Sequence, residues 1–372
     1  METQLKEAND KLLRSSDQGG DFVQNSILKP LADKRTAAID RIAIAIERVA
    51  ERPTGLDNLA ACTLGNGGNG NNGNNKDNGN KGELSAADFL KIVDVPVAKK
   101  PKATANGSTG TYVSRCGTSS DEHSNADNIL TAPGVSNGAQ SQYDYVGNMS
   151  TNALSTNESL VEADTTCQLQ ADRSAYFWPT MRVLGDDSAI GAPGDNAGLP
   201  VEPSSVRLEY RGNATSEVTT PPQFLRMLSG DPRAATKGSA KARASFSCTG
   251  STDRVTSKYP ICPAGSDLVR IFDMPSCWDG ENIDSADRSH LVFPDESGAC
   301  PSGTEAVPQL RITLAYDDVP NTAPEGTKVP FAIDSLASER NKPSTDHAGS
   351  ILVMSKQLMN QVVQCINSDR RC

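Results

Sequence analysis

The sequence predicts an α+β fold that is predominantly β, a disulfide-stapled, loop-rich, β-sandwich-like domain preceded by a small helical N-terminal segment. Three observations carry this. Leu310, Ile312, Leu314 and Tyr316 alternate with Arg311, Thr313 and Ala315, the period-two pattern of a half-buried strand. Glycine and proline are abundant, at 30 and 22 residues, while Phe, Trp and Tyr together number only 17 of 372, which favours short strands and many turns. Nine cysteines lie at 62, 116, 167, 248, 262, 277, 300, 365 and 372 without a Cys-x-x-Cys pair, a pattern that fits disulfides better than zinc.

Taken in order, residues 1–64 read as helical. Ile39, Ile42, Ile46 and Val49 form one apolar stripe that Pro53 ends. Phe22, Val23, Ile27, Leu28 and Leu31 supply a second segment that can pack against it. Residues 65–83 form a Gly/Asn-rich linker, with 15 Gly or Asn among the 18 residues from 65 to 82 and too little apolar side chain for a core. As a flexible coil it spans about 24 Å. Lys99, Lys100 and Lys102 beside Pro96 and Pro101 read as a solvated extension into the β-rich domain, residues 84–372. Val206–Tyr210 and Leu268–Phe272 are two further strands, and Leu358, Val362, Cys365 and Ile366 mark one face of a final helix.

The formal net charge of −10 repels nucleic acid and anionic lipid surfaces. The longest apolar runs, Ile42–Ile46 and Ile351–Met354, fall far short of the roughly 20 residues that cross a bilayer. Neither a nucleic-acid partner nor a membrane span is expected. The odd cysteine count leaves one thiol free or bonded to another chain, with Cys62 and Cys372 the candidates for self-association, alongside residues 1–64. Four Asn-x-Ser/Thr sequons begin at Asn106, Asn148, Asn157 and Asn213. The sequence opens Met-Glu-Thr-Gln-Leu-Lys without an apolar leader, so secretion is expected to require a signal peptide outside it. Gly-x-Ser-x-Gly, His-Glu-x-x-His, Walker and Rossmann signatures are absent.

Several segments, in order, resemble one family. They are Cys116-Gly with His123-Ser-Asn-Ala-Asp-Asn, Ala132-Pro-Gly-Val-Ser-Asn-Gly-Ala, Asp144-Tyr-Val-Gly-Asn-Met-Ser-Thr-Asn-Ala, Asp172-Arg-Ser-Ala-Tyr-Phe-Trp-Pro, Pro221-Pro-Gln-Phe-Leu-Arg-Met-Leu-Ser-Gly-Asp, Pro275-Ser-Cys-Trp-Asp-Gly with Arg288-Ser-His, and Thr345-Asp-His-Ala. Across 110–372 they resemble the secreted "domain of unknown function 1996" family of fungi and actinobacteria. The resemblance implies a secreted, surface- or wall-associated protein. It also implies a His-x-His stretch where this chain carries Gln140, Ser141, Gln142 and Tyr143, a departure that weakens any histidine chemistry.

All three histidines, His123, His290 and His347, fall in these segments. Imidazole titrates near neutrality, so together with Asp346 they are the candidate catalytic residues, and the three rings are the candidate ligands of a divalent metal ion. Asp279 and Asp287 flank a carboxylate-rich turn suited to glycoside hydrolysis, to calcium or to Asx turns. They join Asp127, Tyr145, Asn148 and Trp178 as candidate binding residues. Trp178 and Trp278 read as core pieces or sugar-stacking platforms. Two functions follow. The first is an extracellular or cell-surface structural or binding protein, self-assembling or associated with carbohydrate. The alternative is a secreted hydrolase acting on polysaccharide or cell-wall material through a His/Asp site. Whether the chain is an enzyme stays open at this level.

Overall fold

The structure is a computed structural model and describes residues 84–119, 123–136, 141–183, 199–319 and 331–372, with isolated Lys29, Thr36 and Ile39. Contacts divide the chain into two units, Met1–Asp77 and Asn78–Cys372; the second is the subject below. The helical stripe and the Gly/Asn linker lie outside the described residues, apart from a helical, buried Ile39.

Ten strands build two five-stranded sheets. They are β1 (Thr111–Ser114), β2 (Ser124–Asn125), β3 (Tyr143–Gly147), β4 (Ala175–Pro179), β5 (Ser205–Arg211), β6 (Arg226–Gly230), β7 (Phe246–Cys248), β8 (Leu268–Asp273), β9 (Gln309–Tyr316) and β10 (His347–Ile351). Sheet one runs β7-β8-β9-β5-β1 and sheet two β2-β3-β4-β10-β6, with every pairing antiparallel. Beside them stand three smaller sheets of two or three strands and three short α-helices, α1 (Asn157–Glu162), α2 (Ala234–Lys237) and α3 (Lys356–Asn367).

The alternating strand is β9. Leu310, Ile312, Leu314 and Tyr316 are buried while the residues between them are half-buried. One core cluster joins these side chains and Leu208, Tyr210, Leu268 and Phe272 of sheet one to Val146, Tyr176, Trp178 and Ala348 of sheet two. The two sheets therefore share a core, as in a sandwich. The opposite face of sheet two is covered as well, where Tyr143, Tyr145, Ala175, Phe177 and Ile351 pack with Ile129, Leu130 and Leu160. Burial on both faces explains why β3, β4 and β10 show no alternation. The final helix forms as its apolar stripe requires; Ser355 caps it by accepting from the Leu358 N–H at 3.2 Å.

The shared core holds an ion pair. Arg270 and Asp346 are both fully buried, with Nη2–Oδ1 at 2.6 Å and Nε–Oδ2 at 3.1 Å. Arg270 Nη1 donates to the Pro179 carbonyl and to the Tyr316 hydroxyl, each at 2.9 Å. The fork is thus satisfied on three sides, which a buried guanidinium needs. Asp346 is a structural anchor here and not a free acid.

Four disulfides join Cys116–Cys167, Cys248–Cys262, Cys277–Cys300 and Cys365–Cys372. The pairing corrects one expectation: Cys372 is bonded within its own chain and is not the free cysteine. Of the nine, Cys62 is left, outside the described residues. Two sequons prove to be turn hubs. Asn148 donates to the Leu160 and Arg173 carbonyls at 2.7 and 2.9 Å, and Asn213 donates to the Gly298 carbonyl at 2.7 Å; both are buried, and no glycan fits there.

Candidate functional site

On the outer face of sheet two, at its β6 edge, lies a cleft of about 870 Å³, within the size range of small-ligand sites. Its floor follows from strand parity. The register places Arg226, Leu228 and Gly230 of β6 on the same face as His347 and Ile351 of β10, and Tyr143 and Leu130 extend that floor. The walls are residues 231–243, which include α2, and residues 286–294. Gly230 is required where it stands. Its φ is +90°, and a Cβ would come within 2.3 Å of the Asp346 carbonyl and 2.8 Å of His347.

The hydroxyl of Tyr143 lies 2.7 Å from His347 Nε2, and His347 Nδ1 lies 2.8 Å from the Thr345 carbonyl. A carbonyl only accepts, so Nδ1 carries the proton and Nε2 accepts from Tyr143. Burial lowers the His347 pKa and raises that of Tyr143 well above the ordinary phenol value. The pair is neutral, and only Tyr143 lines the cleft.

His290 also lines it. Its Nε2 donates to the Arg226 carbonyl at 2.8 Å, and its Nδ1 lies 3.0 Å from Ser285 Oγ, so this ring too is held at both nitrogens. His123 stands elsewhere, stacked on Tyr145 with ring centroids 4.9 Å apart and Nε2 donating to the Thr151 carbonyl at 3.2 Å. Burial pulls its pKa down. The three histidines do not form one ligand set. Among the described residues the one group with metal-ligand proximity is Cys116, Cys167 and Asp172, and its two sulfurs are joined in a disulfide.

The remaining candidates divide the same way. Asp287 is at the cleft, exposed, with its carboxyl held below the usual range by hydrogen bonds from Ser289. Asp279 caps its own turn, accepting from the Glu281 and Asn282 N–H groups at 2.9 Å. Asp127 accepts from the Ala153 N–H at 2.9 Å. Tyr145 stacks on Phe177 at 5.1 Å and donates to the Asp127 carbonyl at 2.6 Å. Trp178 is fully buried and offers no sugar platform; Trp278 is half-buried, its Nε1 donating to the Asn282 carbonyl at 2.7 Å. Sequence reading missed the cleft's main lining, Tyr143 and the cations Arg226, Arg233, Lys237, Lys241, Arg243 and Arg288.

Comparison with protein families matches residues 130–349 to the domain of unknown function 1996, more than half of the chain. The chain belongs to that family. Curated proteins and solved structures returned no match. In this member of the family the matched stretch contains all of β3, β4 and β6 and most of β10, so it spans the floor of the cleft. Tyr143 lies at the edge of that floor and puts its hydroxyl on His347.

A second cavity of about 1020 Å³ lies over the outer face of sheet one. Its charges balance, with Lys99, Lys100, Arg211 and Arg311 beside Asp253, Asp273, Asp295 and Glu296.

Proposed function

We propose that the protein is an extracellular binding protein whose cleft on sheet two holds a segment of cell-wall or surface polysaccharide without cleaving it. One observation carries the reading: the cleft is large enough for a short oligosaccharide, and its proton-handling groups are already committed. His290 and His347 are each held at both ring nitrogens. Asp287 is biased toward its ionised form, whereas a general acid needs a raised pKa. Fixed polar groups over a floor that includes Leu130 and Leu228 suit recognition, in which orientation is set by a few polar contacts on an apolar surface. Four disulfides fit the oxidising space outside the cell.

The alternative, a secreted hydrolase, draws on the Tyr143–His347 pair as a proton relay. One experiment separates the two. The disulfide-bonded protein is incubated with insoluble cell-wall polysaccharides, and both its retention and the release of new reducing ends are measured. Retention without reducing ends is the expected outcome. Reducing ends that vanish in Tyr143→Phe would establish the hydrolase instead.

A further inference from the structure

We infer that the ligand of this cleft is an acidic saccharide, one whose sugars carry carboxylate or sulfate groups; the inference rests on the binding reading above. The chain carries a net charge of −10, yet the cleft is lined by six cations, Arg226, Arg233, Lys237, Lys241, Arg243 and Arg288, against two carboxylates, Asp231 and Asp287. The larger cavity on sheet one balances four of each, so the excess is a property of this site and not of cavities in this fold.

Most of these charges also lack an ion-pair partner. Asp284 pairs with Arg288 and lies 3.8 Å from Arg226. Among the described residues Arg233, Lys237, Lys241 and Arg243 have no ion-pair partner. Gathering like charges disfavours the folded state of the free protein, and an anion in the cleft relieves that repulsion.

Several contacts hold the cations in place. The buried Glu339 carboxylate anchors the segment that carries four of them, accepting from the Ala235 and Thr236 N–H groups at 2.9 and 3.0 Å and from the Thr236 hydroxyl. Arg243 stacks over the Phe293 ring at 5.0 Å from its centroid. Arg288 adopts a left-handed backbone, φ +64°, a costly conformation for a side chain of its size. Its guanidinium is fixed there by Asp284 and the Leu130 carbonyl. Guanidinium forks suit carboxylate and sulfate oxygens, and the apolar side chains of Leu130 and Leu228 on the floor suit the C–H face of a sugar ring.

The test is calorimetric titration of the full-length, disulfide-bonded protein with trigalacturonate, with the neutral galactotriose of the same linkage, and with its sulfated form. The two acidic trimers are expected to bind at least tenfold more tightly than the neutral one, and to weaken as salt is raised. Whichever acidic trimer binds more tightly identifies the substituent. Lys237→Glu/Arg243→Glu, at two exposed positions, is expected to lower acidic affinity by tenfold or more, while Lys356→Glu on α3 leaves it unchanged. Equal affinity for neutral and acidic trimers, indifferent to the double reversal, overturns the acidic assignment and leaves the binding reading standing. Failure of all three trimers to bind, together with no retention on polysaccharide, overturns both.

Discussion

Asp144 offers a sharp test of how this core is built. It sits on β3 opposite Trp178 of β4, buried between the sheets. Its Oδ1 accepts from Thr180 Oγ1 at 2.7 Å while its Oδ2 has no hydrogen-bond partner among the described residues. Burial pushes its pKa up from 3.8 to about 6. That difference of about two units, at about 1.4 kcal/mol each, makes the ionised carboxylate about 3 kcal/mol costlier in the native state than in the unfolded one. Because the folded pKa is raised, the native state holds the proton more tightly. The cost is full above the folded value of about 6 and disappears as the pH falls below 3.8. Asp144→Asn keeps the shape and the Thr180 bond without the charge. Urea unfolding of both proteins from about pH 8 to about pH 4 reads the effect. The stability of the Asp144→Asn variant relative to the parent protein is expected to fall by about 3 kcal/mol across that range, with the variant the more stable at the alkaline end. A difference that does not change with pH would refute the reasoning.

Other consequences are separable. Asp346→Asn leaves Arg270 as an uncompensated buried cation and is expected to cost about 3 to 5 kcal/mol in urea unfolding, while Arg270→Met/Asp346→Leu recovers much of it. Tyr143→Phe strips His347 Nε2 of its donor and is expected to cost about 1 to 3 kcal/mol; equal midpoints would show that the hydrogen bond contributes nothing. His347 is buried neutral with its pKa below 6.5, so its contribution falls away as pH drops below 6.5. His347→Gln is expected to flatten the wild-type loss of stability in that acidic window. Replacing Cys116 and Cys167, which are separated by 51 residues, should cost about 4 kcal/mol on the chain-entropy scale, against about 2 for Cys365 and Cys372, separated by seven. The order of the two unfolding midpoints tests this.

What the sequence disclosed follows physical lines. An exposed side leaves a periodic trace, so β9 and α3 were legible from Leu310–Tyr316 and from Leu358, Val362, Cys365 and Ile366. Sheet two was not, because Tyr143–Gly147 and His347–Ile351 are buried on both faces and carry polar residues inside, which erases the alternation. The family was readable from motifs, since these residues fix turns and anchors: Asn148, Asp346 and Gly230 each answer a particular backbone need. The histidines drew attention by chemistry, yet their nitrogens are committed to carbonyls and hydroxyls that no spacing rule reveals. The cleft's cations come from three separate stretches, at 226, 233–243 and 288, and each alone reads as solvated surface. The one available signal was the run Lys237, Lys241 and Arg243 in an acidic chain.

The most direct test of the central claim is a crystal structure of the disulfide-bonded protein with trigalacturonate. The account predicts the trimer in the cleft over Tyr143 and Leu228, with carboxylates facing Arg243 and Lys237. A trimer bound instead in the charge-balanced cavity beside Arg211 and Arg311, with the cleft on sheet two empty, would contradict it.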